Sequence, residues 1–178
     1  MAKIAEGSAS ERFGPKLSPP VPLEARHDLS GFDCGDPALN DWLLHRALKN
    51  ESRFSRTYVV CEGGRVVAYF CISAGAVERL AAPGKVRRNA PGTIPVSVIG
   101  RLAVSREHAG RGLGADILAD ALHRIAVASQ SIGIGAVLVH AKSDAAKRFY
   151  MGCAEFIEYP EESRTLFLPI ETVIAAFS

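Results

Sequence analysis

Apolar residues recur at helical spacing in two stretches of the chain. Leu39, Trp42, Leu43, Ala47 and Leu48 fall three and four positions apart. Asp36-Pro37 before them supplies a capping carboxylate and a proline suited to a first turn, which predicts a helix over 37–50. Leu113, Ile117, Leu118, Ala121, Leu122 and Ile125 mark one face of a second helix, over 112–129. Elsewhere the pattern shortens to apolar, β-branched runs. Residues 57–61 and 66–76 predict two strands joined as a hairpin by Glu62-Gly63-Gly64-Arg65, and 94–104 and 134–140 predict two more. Asp144 predicts the cap of a helix running to about Met151. Segments 156–159 and 165–168 read as strands around Pro160-Glu161-Glu162-Ser163, and a short helix closes the chain at about 170–176. Residues 80–93 hold two prolines, two glycines, Lys85, Arg87 and Arg88, and read as a basic loop.

This order predicts an α/β fold with a mixed central sheet flanked by helices: an antiparallel front half, then a parallel pair bridged by the 112–129 helix. A chain of 178 residues, nearly half hydrophobic, supports one domain with a full core, placed at 18–178. Residues 1–17, rich in Ser, Pro, Gly and charge, are expected to form a flexible arm without the apolar centre of a secretory signal. No apolar run reaches the roughly 18 residues that a membrane span needs. Cys34, Cys61, Cys71 and Cys153 are widely spaced, as expected of reduced thiols in a cytoplasmic protein, and the five histidines lack ligand spacing, so no metal is expected.

The total charge is nearly balanced, at 21 basic and 19 acidic residues, but its distribution is not. Between Arg79 and Arg111 seven basic residues face one acid, Glu107. Arg46, Lys49, Arg53 and Arg56 form another group around Glu51, while 155–171 is acidic. Such asymmetry fits one surface attracting phosphates. Lys85, Arg87, Arg88, Arg46, Lys49 and Arg53 are the candidate RNA contacts.

The strand at 94–104 runs into Ala109-Gly110-Arg111-Gly112-Leu113-Gly114-Ala115, and a helix follows. Glycines let successive backbone N–H groups converge on an anion, and the helix start adds unpaired donors and a positive dipole end. The result is a pyrophosphate cradle. A P-loop reading fails, because Gly112-Leu113-Gly114 lacks the lysine and hydroxyl that hold phosphates and magnesium. A dinucleotide reading fits Gly110-x-Gly112-x-x-Ala115, yet the next strand ends His140-Ala141-Lys142 with no carboxylate for a ribose.

A second motif, Ser143-Asp144-Ala145-Ala146-Lys147-Arg148-Phe149-Tyr150, lies downstream. The strand, glycine turn and helix, followed by this Phe-Tyr helix, resemble the GCN5-related N-acetyltransferases. Four further segments resemble the tRNA-acetylating toxins of bacterial toxin–antitoxin pairs: 32–39 (Phe-Asp-Cys-Gly-Asp-Pro-Ala-Leu), 56–59, 100–104 and 166–169. Two departures stand out. Ala109 takes a place where Gln or Arg is usual, and Met151-Gly152-Cys153-Ala154-Glu155-Phe156 replaces the usual three residues and Gly-Phe after the tyrosine.

The resemblance implies a single-domain acetyltransferase fold with acetyl-CoA as co-substrate. Its pyrophosphate would lie on Ala109, Gly110, Arg111, Gly112, Leu113, Gly114 and Ala115, and its pantetheine arm on the backbone of Leu102, Ala103 and Val104. Ser143 and Phe149 complete the expected cofactor contacts, and Tyr150 is the expected general acid, a phenol near pKa ~10 that can protonate a leaving thiol of pKa ~8.5. The resemblance further implies aminoacyl-tRNA as substrate, a block of translation, a small ribbon-helix-helix antitoxin and a homodimer. An α-amine near pKa ~8 is partly neutral at pH 7, unlike a lysine near ~10.4, so such a substrate demands little of a general base. A small-molecule amine or a protein N-terminus is the alternative acceptor.

Overall fold

The computed structural model describes Phe13 and residues 16–178. Seven strands hydrogen-bond in the order β1-β2-β3-β4-β5-β7-β6. They are β1 Val21–Pro22, β2 Arg56–Glu62, β3 Arg65–Glu78, β4 Thr93–Val104, β5 Ala136–His140, β6 Ile157–Glu158 and β7 Thr165–Pro169. Helices among the described residues are α1 Pro37–His45, α2 Ala47–Asn50, α3 Gly84–Arg87, α4 Leu113–Ala128, α5 Asp144–Cys153 and α6 Ile170–Ala176. The mixed sheet is the one expected: β2 and β3 pair antiparallel, whereas β4 and β5 pair parallel, with α4 between them in the chain. The chain forms two compact units, and β3, β4 and α4 run through both.

The first unit takes its described residues from 13 to 73 and 100–120. Its core gathers Leu23, Leu43, Ala47, Val59, Val66 and Ala103 around Tyr69. The Tyr69 ring stacks beneath Trp42, with centroids 6.0 Å apart, and its hydroxyl donates to the Leu39 carbonyl at 2.8 Å. That bond fixes α1 to β3, and burial raises the Tyr69 pKa. The Asp36 carboxylate caps α1 by accepting from Ala38 N, as its position predicts.

The second unit contains 74–99 and 121–178. The parallel pair registers Val96 with Ala136 and Val98 with Leu138. β7 then closes antiparallel on β5, with Phe167 opposite Leu138. Ile94, Val96, Ala136, Leu138 and Phe167 bury together with Ala82 and Val86.

Three elements differ from the pattern reading. The helix expected over 37–50 breaks at Arg46, whose backbone leaves helical geometry; the Arg46 carbonyl accepts from both the Asn50 main-chain N at 3.1 Å and the Asn50 side-chain amide at 2.8 Å. The basic segment 80–93 is not all loop. Buried Val86 draws one turn of helix, α3, out of it, with Val86 N and Arg87 N donating to the Pro83 carbonyl. Ser143, not Asp144, caps α5: Ser143 is extended and its hydroxyl accepts from Ala146 N at 3.0 Å, leaving Asp144 as the first helical residue. The arm expected at 1–17 lies outside the described residues except for Phe13, Lys16 and Leu17, and Leu17 bridges to Glu62. No helix among the described residues is long and apolar enough to cross a membrane.

Candidate active site

The glycine turn belongs to the first unit, and its approach is tightly held. Ser105 N donates to the Val67 carbonyl at 2.8 Å and Arg106 N to the Asp33 carbonyl at 2.8 Å. A 3-10 turn, Arg106–His108, follows. His108 is buried, with Nδ1 2.8 Å from the Ser105 hydroxyl and Nε2 2.9 Å from the Glu62 carboxylate. The turn therefore leaves from a clamped base.

Gly110 and Gly112 adopt φ of +77° and +80°, a region that L side chains rarely enter. A Cβ on either would meet nothing within 4 Å, so both backbones border open space. Leu113 starts α4 directly afterwards and is buried, while Ala109, Arg111 and Ala115 are exposed and Gly114 is half-buried. Open backbone at alternate positions, a helix N-terminus and one exposed guanidinium fit an anionic diphosphate. Leu102 and Val104 are half-buried and Ala103 belongs to the core, so any contact from Ala103 to a ligand runs through its backbone.

Ser143, Phe149 and Tyr150 belong to the second unit. The α5 helix holds all three: Ser143 as its cap, Phe149 half-buried and Tyr150 buried. The Tyr150 ring meets Phe149 edge-on at 5.2 Å and Phe156 edge-on at 5.8 Å. Phe156 thus packs on the tyrosine despite its later place in the sequence.

The basic candidates divide between the units. Arg46, Lys49 and Arg53 lie exposed in the first; Lys85 and Arg88 lie exposed and Arg87 half-buried in the second. Among the described residues no cluster of His, Cys, Asp or Glu could hold a metal ion.

One feature of the first unit was not legible as a site. A cavity of about 430 Å³ opens beside Trp42, bounded by Arg46, Asn50, Phe54 and Arg101, with Cys71 and Gly100 in its wall. The Arg101 guanidinium lies 4.2 Å over the Trp42 ring. Burial pushes the Cys71 thiol up, against the pull of the neighbouring Arg101 cation. Trp42 reads in sequence as a core position of a helix; the signal for the cavity is Arg101, a lone charge within an apolar strand.

The acetyltransferase (GNAT) family model matches residues 23–156. Over 135 residues the chain is 44% identical to the tRNA-acetylating toxin of Mycobacterium tuberculosis (strain ATCC 25618 / H37Rv), a match spanning 75% of this chain and 81% of that protein. AtaT complexed with acetyl-methionyl-tRNAfMet is similar at a TM-score of 0.83 and 30% identity, covering 91% of this chain and 99% of AtaT. A tyrosine-to-phenylalanine variant of the AtaT toxin, bound to the C-terminus of the antitoxin AtaR and to acetyl-CoA, is similar at 0.79 and 29% identity, covering 92% and 99%. With most of its length matched by that model and its sheet, glycine turn and Phe-Tyr helix formed as the resemblance implies, this chain belongs to the acetyltransferase (GNAT) family: it is an N-acetyltransferase that takes acetyl-CoA as its acetyl donor.

Proposed function

We propose that this acetyltransferase acetylates the α-amine of aminoacyl-tRNA in the cytoplasm and thereby blocks translation, as a homodimeric toxin restrained by a small ribbon-helix-helix antitoxin. The observation that carries this reading is the identity shared with a tRNA-acetylating toxin over most of both chains.

When bound, acetyl-CoA supplies a thioester-activated acetyl group. The amides of 110–115 hold the diphosphate, with Arg111 as an added cation. A backbone N–H of the 102–104 strand end polarises the acetyl carbonyl, a donor fixed before reaction begins. Tyr150 holds a proton on its hydroxyl for the departing sulfur. The acceptor is an α-amine already partly neutral at pH 7, so water or a backbone carbonyl suffices to take its proton. Lys85, Arg87, Arg88, Arg46, Lys49 and Arg53 contact RNA phosphates.

The test is purified protein with labelled acetyl-CoA and total charged tRNA, against deacylated tRNA, small amines and peptides with free N-termini. Label is expected on charged tRNA alone, released by mild base as N-acetyl amino acids. Label on the amines or peptides but not on charged tRNA overturns the reading.

A further inference from the structure

We infer that the cavity beside Trp42 receives the 3′-terminal nucleotide of the charged RNA, with Phe54 stacked on the base and the Arg46 and Arg101 guanidinium groups on phosphate. This inference rests on the reading of the substrate as aminoacyl-tRNA. About 430 Å³ falls within the ~300–1,000 Å³ of small-ligand sites and accommodates one nucleotide, not a duplex. The lining supplies cations, aromatic rings, an amide and hydroxyls, but no carboxylate.

Trp42 itself is closed to a ligand. Tyr69 stacks on its ring, the Arg101 guanidinium lies over that ring, and Trp42 is buried. Its task is to hold the Arg101 guanidinium in place over the ring, so that little rotamer freedom remains to be lost when an anion binds. Phe54 is the opposite case. It is 66% exposed, borders the cavity, and carries the Arg53 guanidinium 5.4 Å from its ring. An exposed ring among guanidinium groups is the arrangement with which proteins take unpaired bases and their phosphates. The wall also contains the Ser55 hydroxyl, buried and without a hydrogen-bond partner, a polar group still to be satisfied. A free anion would use the cations alone; the flat apolar surface of Phe54 selects a nucleobase.

The probe is a labelled trinucleotide of sequence CCA carrying a 5′-phosphate, compared with the same strand lacking its terminal adenosine. Binding is followed by fluorescence anisotropy, and KM for charged tRNA and for acetyl-CoA is measured in parallel. Phe54→Ala alters an exposed side chain and tests the stack; Arg101→Lys keeps the charge and loses the planar contact with Trp42. Each is expected to weaken trinucleotide binding and raise KM for charged tRNA by about 5- to 100-fold, the range of one base–aromatic stack. Phe54→Trp is expected to restore both, and KM for acetyl-CoA to stay unchanged in all three. Equal binding of the two strands by the wild type, or wild-type KM values for charged tRNA in Phe54→Ala and Arg101→Lys, overturns the inference. Failure of the wild type to acetylate charged tRNA while the trinucleotide still binds through Phe54 sinks the substrate reading and leaves the cavity's preference standing.

Discussion

The Ser105 hydroxyl lies 2.8 Å from Nδ1 of His108, at the point where β4 ends and the chain turns toward Gly110. The other ring nitrogen is bonded to Glu62, so one buried imidazole ties the glycine turn's base to the end of β2. Arg65 extends the tie, 3.2 Å from Glu107. His108→Ala strands the buried Ser105 hydroxyl, a cost of about 1–3 kcal/mol, while the half-exposed Glu62 keeps water and Arg65 as partners. At this chain length each kcal/mol lowers Tm by about 2–4 °C, which calorimetry will read. Because the turn loses its anchor, KM for acetyl-CoA should rise more than kcat falls. A variant with unchanged Tm and KM means that the tie supports neither the fold nor the turn.

Tyr150→Phe removes one oxygen and keeps the ring that packs on Phe149 and Phe156. The fold should therefore survive with circular dichroism unchanged. Loss of a general acid lowers turnover by roughly 10²–10⁴. Single-turnover acetyl transfer at saturating acetyl-CoA separates this from a binding defect. A rate within a few-fold of wild type would remove the phenol from the chemistry.

Gly110→Ala tests the cradle. Its Cβ meets no protein atom within 4 Å, so steric conflict within the chain is absent and the cost is the left-handed backbone, about 1–2 kcal/mol. The same methyl projects into the space assigned to the diphosphate. KM for acetyl-CoA should rise about tenfold or more, the equivalent of a lost 1.4 kcal/mol. Gly133→Ala is the control: it is equally uncrowded and has no positive φ, and it should leave KM alone. Equal KM values for the two variants would mean that the diphosphate lies elsewhere.

Periodicity exposed most of this fold because it reports burial. The apolar face of α4 and the β-branched runs of β2 to β5 were visible for that reason, and the glycines of the turn because positive φ restricts the residues that can stand there. Partnerships remote in sequence were not visible. Nothing near Trp42 in α1 announces that Arg101, in β4, lies over its ring, and His108 offers no ligand spacing because its partners are a neighbouring serine and a glutamate 46 positions away. The break at Arg46 lies in the backbone dihedrals of one exposed residue, which hydrophobic spacing does not record. One turn of helix could form in the proline-bracketed basic segment because a single valine, Val86, had a core to enter.

Acid should weaken the loop before α1 through Asp33. Hydrogen bonds from Gly35 N at 2.9 Å and the Asn40 amide at 3.1 Å hold its carboxylate below the usual range, with Arg106 assisting. A folded pKa below the unfolded value gives stability that is complete above about pH 4 and is lost as pH falls through the folded value. Glu51 acts with the opposite sign: burial raises its pKa, so its contribution declines as pH climbs through the carboxylate range. Comparing wild type with Asp33→Asn isolates the first effect. The variant should melt lower at pH 7, and the gap should narrow steadily between pH 4 and pH 3. A gap that stays constant over that interval would show that the Asp33 charge adds nothing.

The basic turn α3 should act on RNA through charge alone. Arg88 is exposed and Arg87 half-buried at its end, and neither has an aromatic ring within cation–π reach among the described residues. Contacts of that kind position a phosphate backbone without reading bases. Replacing both residues by Gln removes up to two phosphate contacts, each releasing counterions when made. Binding should weaken by a similar factor for every tRNA, charged or not. The slope of log affinity against log salt should flatten by about one to two units, measured by filter binding between 50 and 200 mM salt. Phe54→Ala, by contrast, should leave the slope unchanged, because stacking releases no counterions. A double variant that keeps the wild-type slope places the RNA on another surface, and one that loses affinity for some tRNAs but not others shows that these arginines read sequence.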